Sequence, residues 1–567
     1  MPTLRHWLAL VALALLPAPA LALPLIKPQP ASTRPASPAL LRSLAAFERD
    51  LQELDGALRG APAAQHPFSL DDQALRAPEA SALPADVLAA QQRDVRQLSL
   101  VQAMAVAVAN NPELAERRAR IAEMRGLRRS VQGRFWPRVG LVLGGAFAQR
   151  EVGNQVLDGN TGLYPAPPAP ASAFLVEQGG WNRILANRGG GWGSLELDWD
   201  LISFERGAAL AEQDQRLRAS LKDYGDALRL LQLQVSEAYY GLQLADQLQR
   251  IRAAVVRNDA LVRDQVAALK SSGLVPRLDL LRAEAALQQS RFRLEQAEAQ
   301  RLSRRQALTN LLNVAFGTLL LARKDVALQP PWPLPLDATL VAGLRANPSL
   351  ERLTAERQAL LRQADRRSAQ LLPSLQLFAA GGGGSDLLTK PVIELKGCCA
   401  ETNIRQLSSQ SADWVAGLRL HWRLFDAGVT GGEAQASRAA AEAVLQRLAR
   451  QRNQIRQELE TAFYDYRASL SQLNAAEASY RASREAFRDA RARYQLGLAD
   501  YTDVSETISL MTGAMEGIAE SMTLANVSYA RMLRQLLPVP EQPEALPELP
   551  LTLPASMSAS ASKERQP

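Results

Sequence analysis

Apolar positions along this chain follow two rhythms. Between Arg206 and Leu269 the residues Leu221, Tyr224, Leu228, Leu231, Val235, Ala238, Leu242 and Ala245 alternate steps of three and four, the heptad seam of a packed helix. Leu445, Leu448, Ile455, Leu459, Ala462, Tyr466 and Leu473 repeat the pattern, interrupted by Arg452. Neither stretch contains Pro for about 65 residues, so each predicts a helix on the order of 100 Å long. The second rhythm has a period of two. Leu195, Leu197, Trp199 and Leu201 oppose Ser194, Glu196, Asp198 and Asp200, and Leu418, Leu420, Trp422 and Leu424 oppose Arg419, His421 and Arg423. Val139, Leu141 and Leu143, then Leu375 and Leu377, open two further strands.

The whole pattern is written twice. Asn111-Pro112-Glu113-Leu114 returns as Asn347-Pro348-Ser349-Leu350, and Trp136-Pro137 as Leu372-Pro373, about 236 residues later. Trp199 returns as Trp422 and Gly273-Leu274 as Gly497-Leu498, about 224 residues later. The missing residues belong in a loop. Residues 149–193 and 384–414, rich in Gly, Pro, Ser and Asn, are read as that exposed loop in each half. Each half therefore predicts helix, strand, strand, long helix, tight turn, long helix. The first helices are expected over residues 98–133 and 336–370, and the strands near 138–148, 193–201, 374–381 and 415–425. Domain boundaries follow: a first repeat at 98–321, a Pro-rich linker at 322–335 and a second repeat at 336–537.

A tilted strand crosses a bilayer in about 9 to 11 residues, and these candidates are long enough. Only helices and closed barrels span lipid, because every backbone polar group must be paired internally. Four strands close no barrel, so the membrane reading requires several copies, each donating its strands. Glu196, Asp198, Asp200, Arg419, His421 and Arg423 would then line a wet lumen. A structural coiled-coil protein of the periplasm, without a pore, is the alternative; it leaves the charged-face strands unexplained.

Composition narrows the chemistry. Of 567 residues only 3 are His and 2 are Cys, too few for most metalloenzymes, and no nucleophile triad or paired-carboxylate arrangement stands out. Neither catalysis nor a cofactor is expected. The net charge of +7 is the residue of 65 basic and 58 acidic side chains interspersed along the chain, which argues against a nucleic-acid surface. Arg5, the apolar run Trp7 to Leu16 and Ala20-Leu21-Ala22 read as a secretory signal over residues 1–22.

Taken together, the signal, the two repeats, the Asn-Pro-Glu-Leu start, the paired strands and the paired long helices resemble the TolC-type outer membrane factor family. The most specific pair of motifs is Tyr494-Gln-Leu-Gly-Leu-Ala-Asp-Tyr-Thr-Asp-Val504 and Ser272-Gly-Leu-Val-Pro-Arg-Leu-Asp-Leu280. The resemblance implies a mostly α fold with a small membrane β-barrel contribution: a homotrimer closing a 12-stranded barrel above an α-helical tunnel. It also implies a periplasmic adaptor, an inner-membrane pump of the RND or ABC type, and outer membrane lipid as partners. Cargo is small molecules or polypeptides. In the family the two turns form the periplasmic tip that gates the pore. Asp503 and Glu506 match acidic constriction rings, and Tyr494 a residue that holds the closed state. Ala499 replaces an Arg of the family's latch, and Arg277 is the candidate substitute, pairing with Asp503 or Glu506. Physically, Gly273 and Gly497 suit positive φ at helix ends, while Asp279 and Asp503 suit the N-terminal turns that follow.

Four segments remain. Gly381 to Gly384 is read as the point where strand gives way to loop. Cys398 and Cys399 admit a vicinal disulfide, a bridge between protomers, or two thiols. Residues 23–97 read as a Pro/Ala-rich extension, and 538–567 as a disordered tail.

Overall fold

The computed structural model describes residues 68–79, 95–155, 162–165, 173–176, 181–323, 326–345, 347–396, 406–537 and 549–553. All lie in one compact unit, Glu53–Pro567. The secretory signal and Cys398-Cys399 lie outside the described residues.

Each repeat opens with a broken helix. Strand β1 (Val95–Leu98) leads into α1 (Leu100–Asn110) and α2 (Pro112–Gly133), where the sequence predicts one helix. Asn111, held extended at φ −68° and ψ 119° ahead of Pro112, ends α1 and caps α2 through its side chain. Proline excludes the helical conformation from the residue before it, so Asn-Pro is a hinge between two helices rather than the start of one. After the strands β2 (Arg138–Gln155), β3 (Gly162–Pro165), β4 (Ala173–Val176) and β5 (Trp181–Ile202) come the long helices α3 (Phe204–Ser271) and α4 (Arg277–Leu312). Strand β6 (Leu319–Ala322) closes the repeat and pairs in parallel with β1. The second repeat runs α5 (Leu336–Arg345), α6 (Pro348–Ala369), β7 (Ser374–Lys396), β8 (Gln406–His421), α7 (Val429–Gln495) and α8 (Tyr501–Leu536). Asn347 caps α6 as Asn111 caps α2.

The four long strands form one antiparallel sheet in the order β2-β5-β7-β8. They are far longer than their alternation suggests and occupy much of what reads as loop. Gly381 to Gly384 lie mid-strand on β7, paired on both sides. Two glycine contacts explain the misreading. A Cβ on Gly144 would sit 2.6 Å from the Trp192 ring, and one on Gly382 would strike the Gly193 carbonyl oxygen of the neighbouring strand. These glycines permit close approach inside a sheet, a use that composition does not separate from a loop.

Below the sheet, α2, α3, α6 and α7 pack side by side; farther from it the layer becomes α4, α3, α8 and α7. Helix α3 is therefore central, with Tyr224, Leu228, Leu231, Val235 and Leu242 buried along its seam. On α7, Ile455, Leu459, Ala462, Tyr466 and Leu473 are buried while most of its surface is exposed. Among the described residues, two apolar clusters tie the helices together. One joins α1 and α3 to β6, the other α7 and α8 to Leu334 and Leu537. Segments expected to be unstructured contribute to both. Leu75 enters the first cluster; Leu549 and Leu551 pack on it, and Leu553 packs on the second. The Gln232 side-chain amide donates to the Pro550 carbonyl (2.8 Å). The disordered-tail reading is thus corrected for residues 549–553: alternate leucines make a strap that packs on both clusters. Among the described residues, no helix is long and apolar enough to cross a membrane.

Candidate functional site

At the sheet, register decides which side chains share a face. Arg138 pairs with Asp198, Asp198 with Phe378 and Phe378 with Gly417; Asp200 pairs with Gln376, Gln376 with Arg419, and Ser374 with His421. Glu196, Asp198, Asp200, Arg419 and His421 thus lie on one face, joined by Arg138 and Asp413, which alternation did not single out. The Gln376 amide donates to Asp198 Oδ1 (3.3 Å), and the Arg419 guanidinium stands 4.9 Å from the centre of the Phe378 ring. Arg423 is the exception. Strand β8 ends at His421, so Arg423 leaves the sheet before its alternation has meaning. Its apparent strand position is a continuation of pattern into the turn that enters α7.

The opposite face is apolar and open. Val139, Leu141, Leu143, Phe147, Leu195, Trp414, Leu418 and Leu420 are all more than half exposed on it. An exposed apolar face this continuous, backed by a charged face, is what a barrel wall between lipid and water requires. Where the sheet meets the helices the two repeats use the same device. The Trp199 indole N–H donates to the Phe135 carbonyl (3.0 Å) and that of Trp422 to the Leu371 carbonyl (3.1 Å). In the first repeat Arg206 adds bonds to the carbonyls of Arg134 (3.1 Å) and Asp200 (2.5 Å), its charge 4.2 Å from the Phe135 ring centre.

At the far end, each long helix stops in a left-handed glycine, Gly273 at φ +73° and Gly497 at φ +71°. The Gly273 and Leu274 amides donate to the carbonyls of Lys270 (2.9 Å) and Leu269 (3.0 Å), and those of Gly497 and Leu498 to Tyr494 (3.0 Å) and Arg493 (2.9 Å). Both turns are the same Schellman closure, which satisfies carbonyls a helix end leaves unpaired. Asp279 and Asp503 follow in the first turns of α4 and α8. They differ in surroundings: Asp279 is buried, whereas Asp503 and Glu506 are exposed.

Tyr494 packs edge-on against Tyr501 with ring centres 6.4 Å apart. Burial first, and then the Asp279 charge, push its phenol up to about 12, and burial with Asp259 does the same for Tyr501. The buried Tyr494 hydroxyl has no hydrogen-bond partner within the protomer among the described residues. Asp259 on α3 is held up at about 6 by burial, which the Ser290 hydroxyl partly offsets. Sequence reasoning missed Asp259, because nothing in the heptad pattern distinguishes a half-covered acid from a solvated one. Arg277 is exposed and makes no ion pair with Asp503 or Glu506 among the described residues; Arg282 reaches the Thr502 hydroxyl instead (3.5 Å). No group of three metal-binding side chains occurs among the described residues.

An open amphipathic sheet continued by two long helical hairpins is the fold of an outer membrane channel chain. The chain belongs to the outer membrane efflux protein family, whose model matches residues 103–314 and 341–532. Its sheet accordingly lies in the outer membrane and its helices in the periplasm. The fold is similar to that of the outer membrane protein VceC of Vibrio cholerae, with a TM-score of 0.59 at 16% identity over 77% of this chain and 95% of that one. It is similar also to the CmeC outer membrane channel of Campylobacter jejuni, at 0.55 and 14% over 84% and 94%. The open-state MtrE channel of Neisseria gonorrhoeae gives 0.51 and 15% over 77% and 88%. No curated protein matches the chain.

Proposed function

We propose that three copies of this chain close a 12-stranded barrel and a helical tunnel that carries small molecules or polypeptides from the periplasm to the exterior. The observation that carries this reading is the sheet with two open edges. Among the described residues strands β2 and β8 each have one neighbour, and their unpaired backbone groups cannot face lipid. Helix α7 forms the matching edge below β8, and α2 with α4 the edge below β2, so one rotation joins sheet and helices together. Glu196, Asp198, Asp200, Arg419 and His421 then line the lumen. Asp503 and Glu506, exposed at the tip turns, form acidic rings in the closed channel that favour cations. Gly273 and Gly497 fix those turns, while Tyr494 and Asp279 hold the tip; Arg277, which has no ion pair among the described residues, pairs with Asp503 or Glu506 of a neighbouring copy.

The chain carries no nucleotide-binding motif, so transport energy comes from elsewhere. A periplasmic adaptor and an inner-membrane pump, driven by protons or by ATP, supply it. Purified protein in planar bilayers tests the reading: discrete conductance steps are expected, and a detergent-soluble protein that never conducts would contradict it. Deleting the gene and measuring both drug sensitivity and the secreted proteome separates the two cargo classes.

A further inference from the structure

The two long hairpins of one copy meet along α3 and α8, and that seam changes character partway down. Both apolar clusters lie in its upper part, where α3 enters them no farther than Leu242 and α8 no nearer the tip than Ala525. Toward the tip α3 buries Gln247 and Asn258 beside Ile251, and α8 buries Thr512 beside Met515. The side-chain polar atoms of Gln247, Asn258 and Thr512 find no hydrogen-bond partner among the described residues. Water satisfies such groups once helices part, so they weaken this stretch of the closed seam. Within it Arg252 of α3 faces Glu516 of α8, with Arg252 Nη2 lying 2.6 Å from Glu516 Oε1 and each side chain only 20% exposed. The contact is one of charge, because Glu516 Oε1 lies out of line for a hydrogen bond. Burial raises the Glu516 carboxyl and Arg252 opposes that most; Glu520 raises it and Arg293 of α4 lowers it. Higher on the same seam Arg531 pairs with Glu237 at 2.9 Å, but these side chains are 44% and 37% exposed.

We infer that Arg252 and Glu516 are positioning residues of the gate: their pair is a clasp that holds the lower halves of the two hairpins together in the closed channel. The inference rests on the channel reading, since closure has meaning only around a pore. At 1.5 Å per residue the pair stands roughly 30 Å of helix above Gly273 and Gly497. The clusters anchor the helices above it and the turns end them below, so a small splay at the clasp becomes a larger one at the tip. Water screens a half-covered pair less than an exposed one, which makes this contact worth more than the pair of Glu237 with Arg531. A contact of charge alone needs no guanidinium fork, so lysine serves at position 252.

Single-channel recording of the full-length protein in planar bilayers tests this. Glu516→Gln and Arg252→Gln are each expected to raise the fraction of time spent open by roughly fivefold. Arg252→Lys keeps the charge and is expected to gate as the unmodified protein does. Arg531→Gln removes the exposed pair higher on the seam and is expected to leave gating unchanged, although it takes away an ion pair between the same two helices. A fraction open that rises in neither neutralised variant, variants that never open included, overturns the clasp while leaving the channel intact. An equal rise in Arg531→Gln, or one in Arg252→Lys as large as in Arg252→Gln, overturns it too. Absence of any conductance in the unmodified protein overturns the channel reading and the clasp with it.

Discussion

Single residues at the tip carry strain and charge that can be tested separately. A Cβ at Gly497 or Gly273 would meet nothing within 4 Å, so an alanine there costs only the left-handed backbone, about 1–2 kcal/mol. Denaturant unfolding of Gly497→Ala should show a loss of that size, and an unchanged midpoint would mean the turn is not left-handed in solution. Asp259 gives a pH signature. Its folded value of about 6 stands above the ordinary carboxylate value of 3.8, so the folded state holds the proton more tightly. The stability cost of its charge is absent below about 3.8, grows as pH rises through 6, and is complete above. Asp259→Asn should therefore raise the thermal midpoint at pH 8 and leave it unchanged at pH 3.5. Equal shifts at both pH values would refute the buried-acid account. The two glycines were legible in sequence because each stood before a leucine at an equivalent place in a repeat. Asp259 was not, because burial by a neighbouring helix leaves no mark on its own segment.

Elements divide in the same way. Heptad spacing located α3 and α7, and tandem repetition showed that they are equivalent, since a seam is a local consequence of a helix packing on a neighbour. Strand ends were misplaced in both directions. Beyond Leu143 the alternation fades into glycine and serine, where close strand contact and a wet face remove the apolar signal; at Arg423 it outlasts the strand. The Asn-Pro hinges break what the sequence predicts as one helix in each repeat, because the apolar pattern continues across them. The strap at residues 549–553 is hidden by Pro550 and the proline-rich stretch around it, a composition shared by ordered and disordered segments alike. Its alternate leucines pack on both apolar clusters. Replacing Leu549 and Leu551 together by Asp should lower the thermal midpoint of the assembled protein, read by circular dichroism, and no change would show that the strap adds nothing.

For the whole molecule, the sheet and the helices make one demand: each is one layer thick with two unsatisfied edges. In the proposed trimer the charged face of the sheet becomes the lumen. Neutralising Glu196, Asp198 and Asp200 together to their amides should shift the reversal potential toward lower cation selectivity, and an unaltered potential would remove these residues from the conduction path. Stoichiometry is the claim on which the barrel and the tip rings both depend, and four strands per copy fix it only together with barrel size. The direct measurement is the protein mass of the detergent-extracted, unheated particle by light scattering with the detergent contribution subtracted. The account predicts three times the mass of the mature chain, falling to one on heating. A single-chain mass before heating would contradict it.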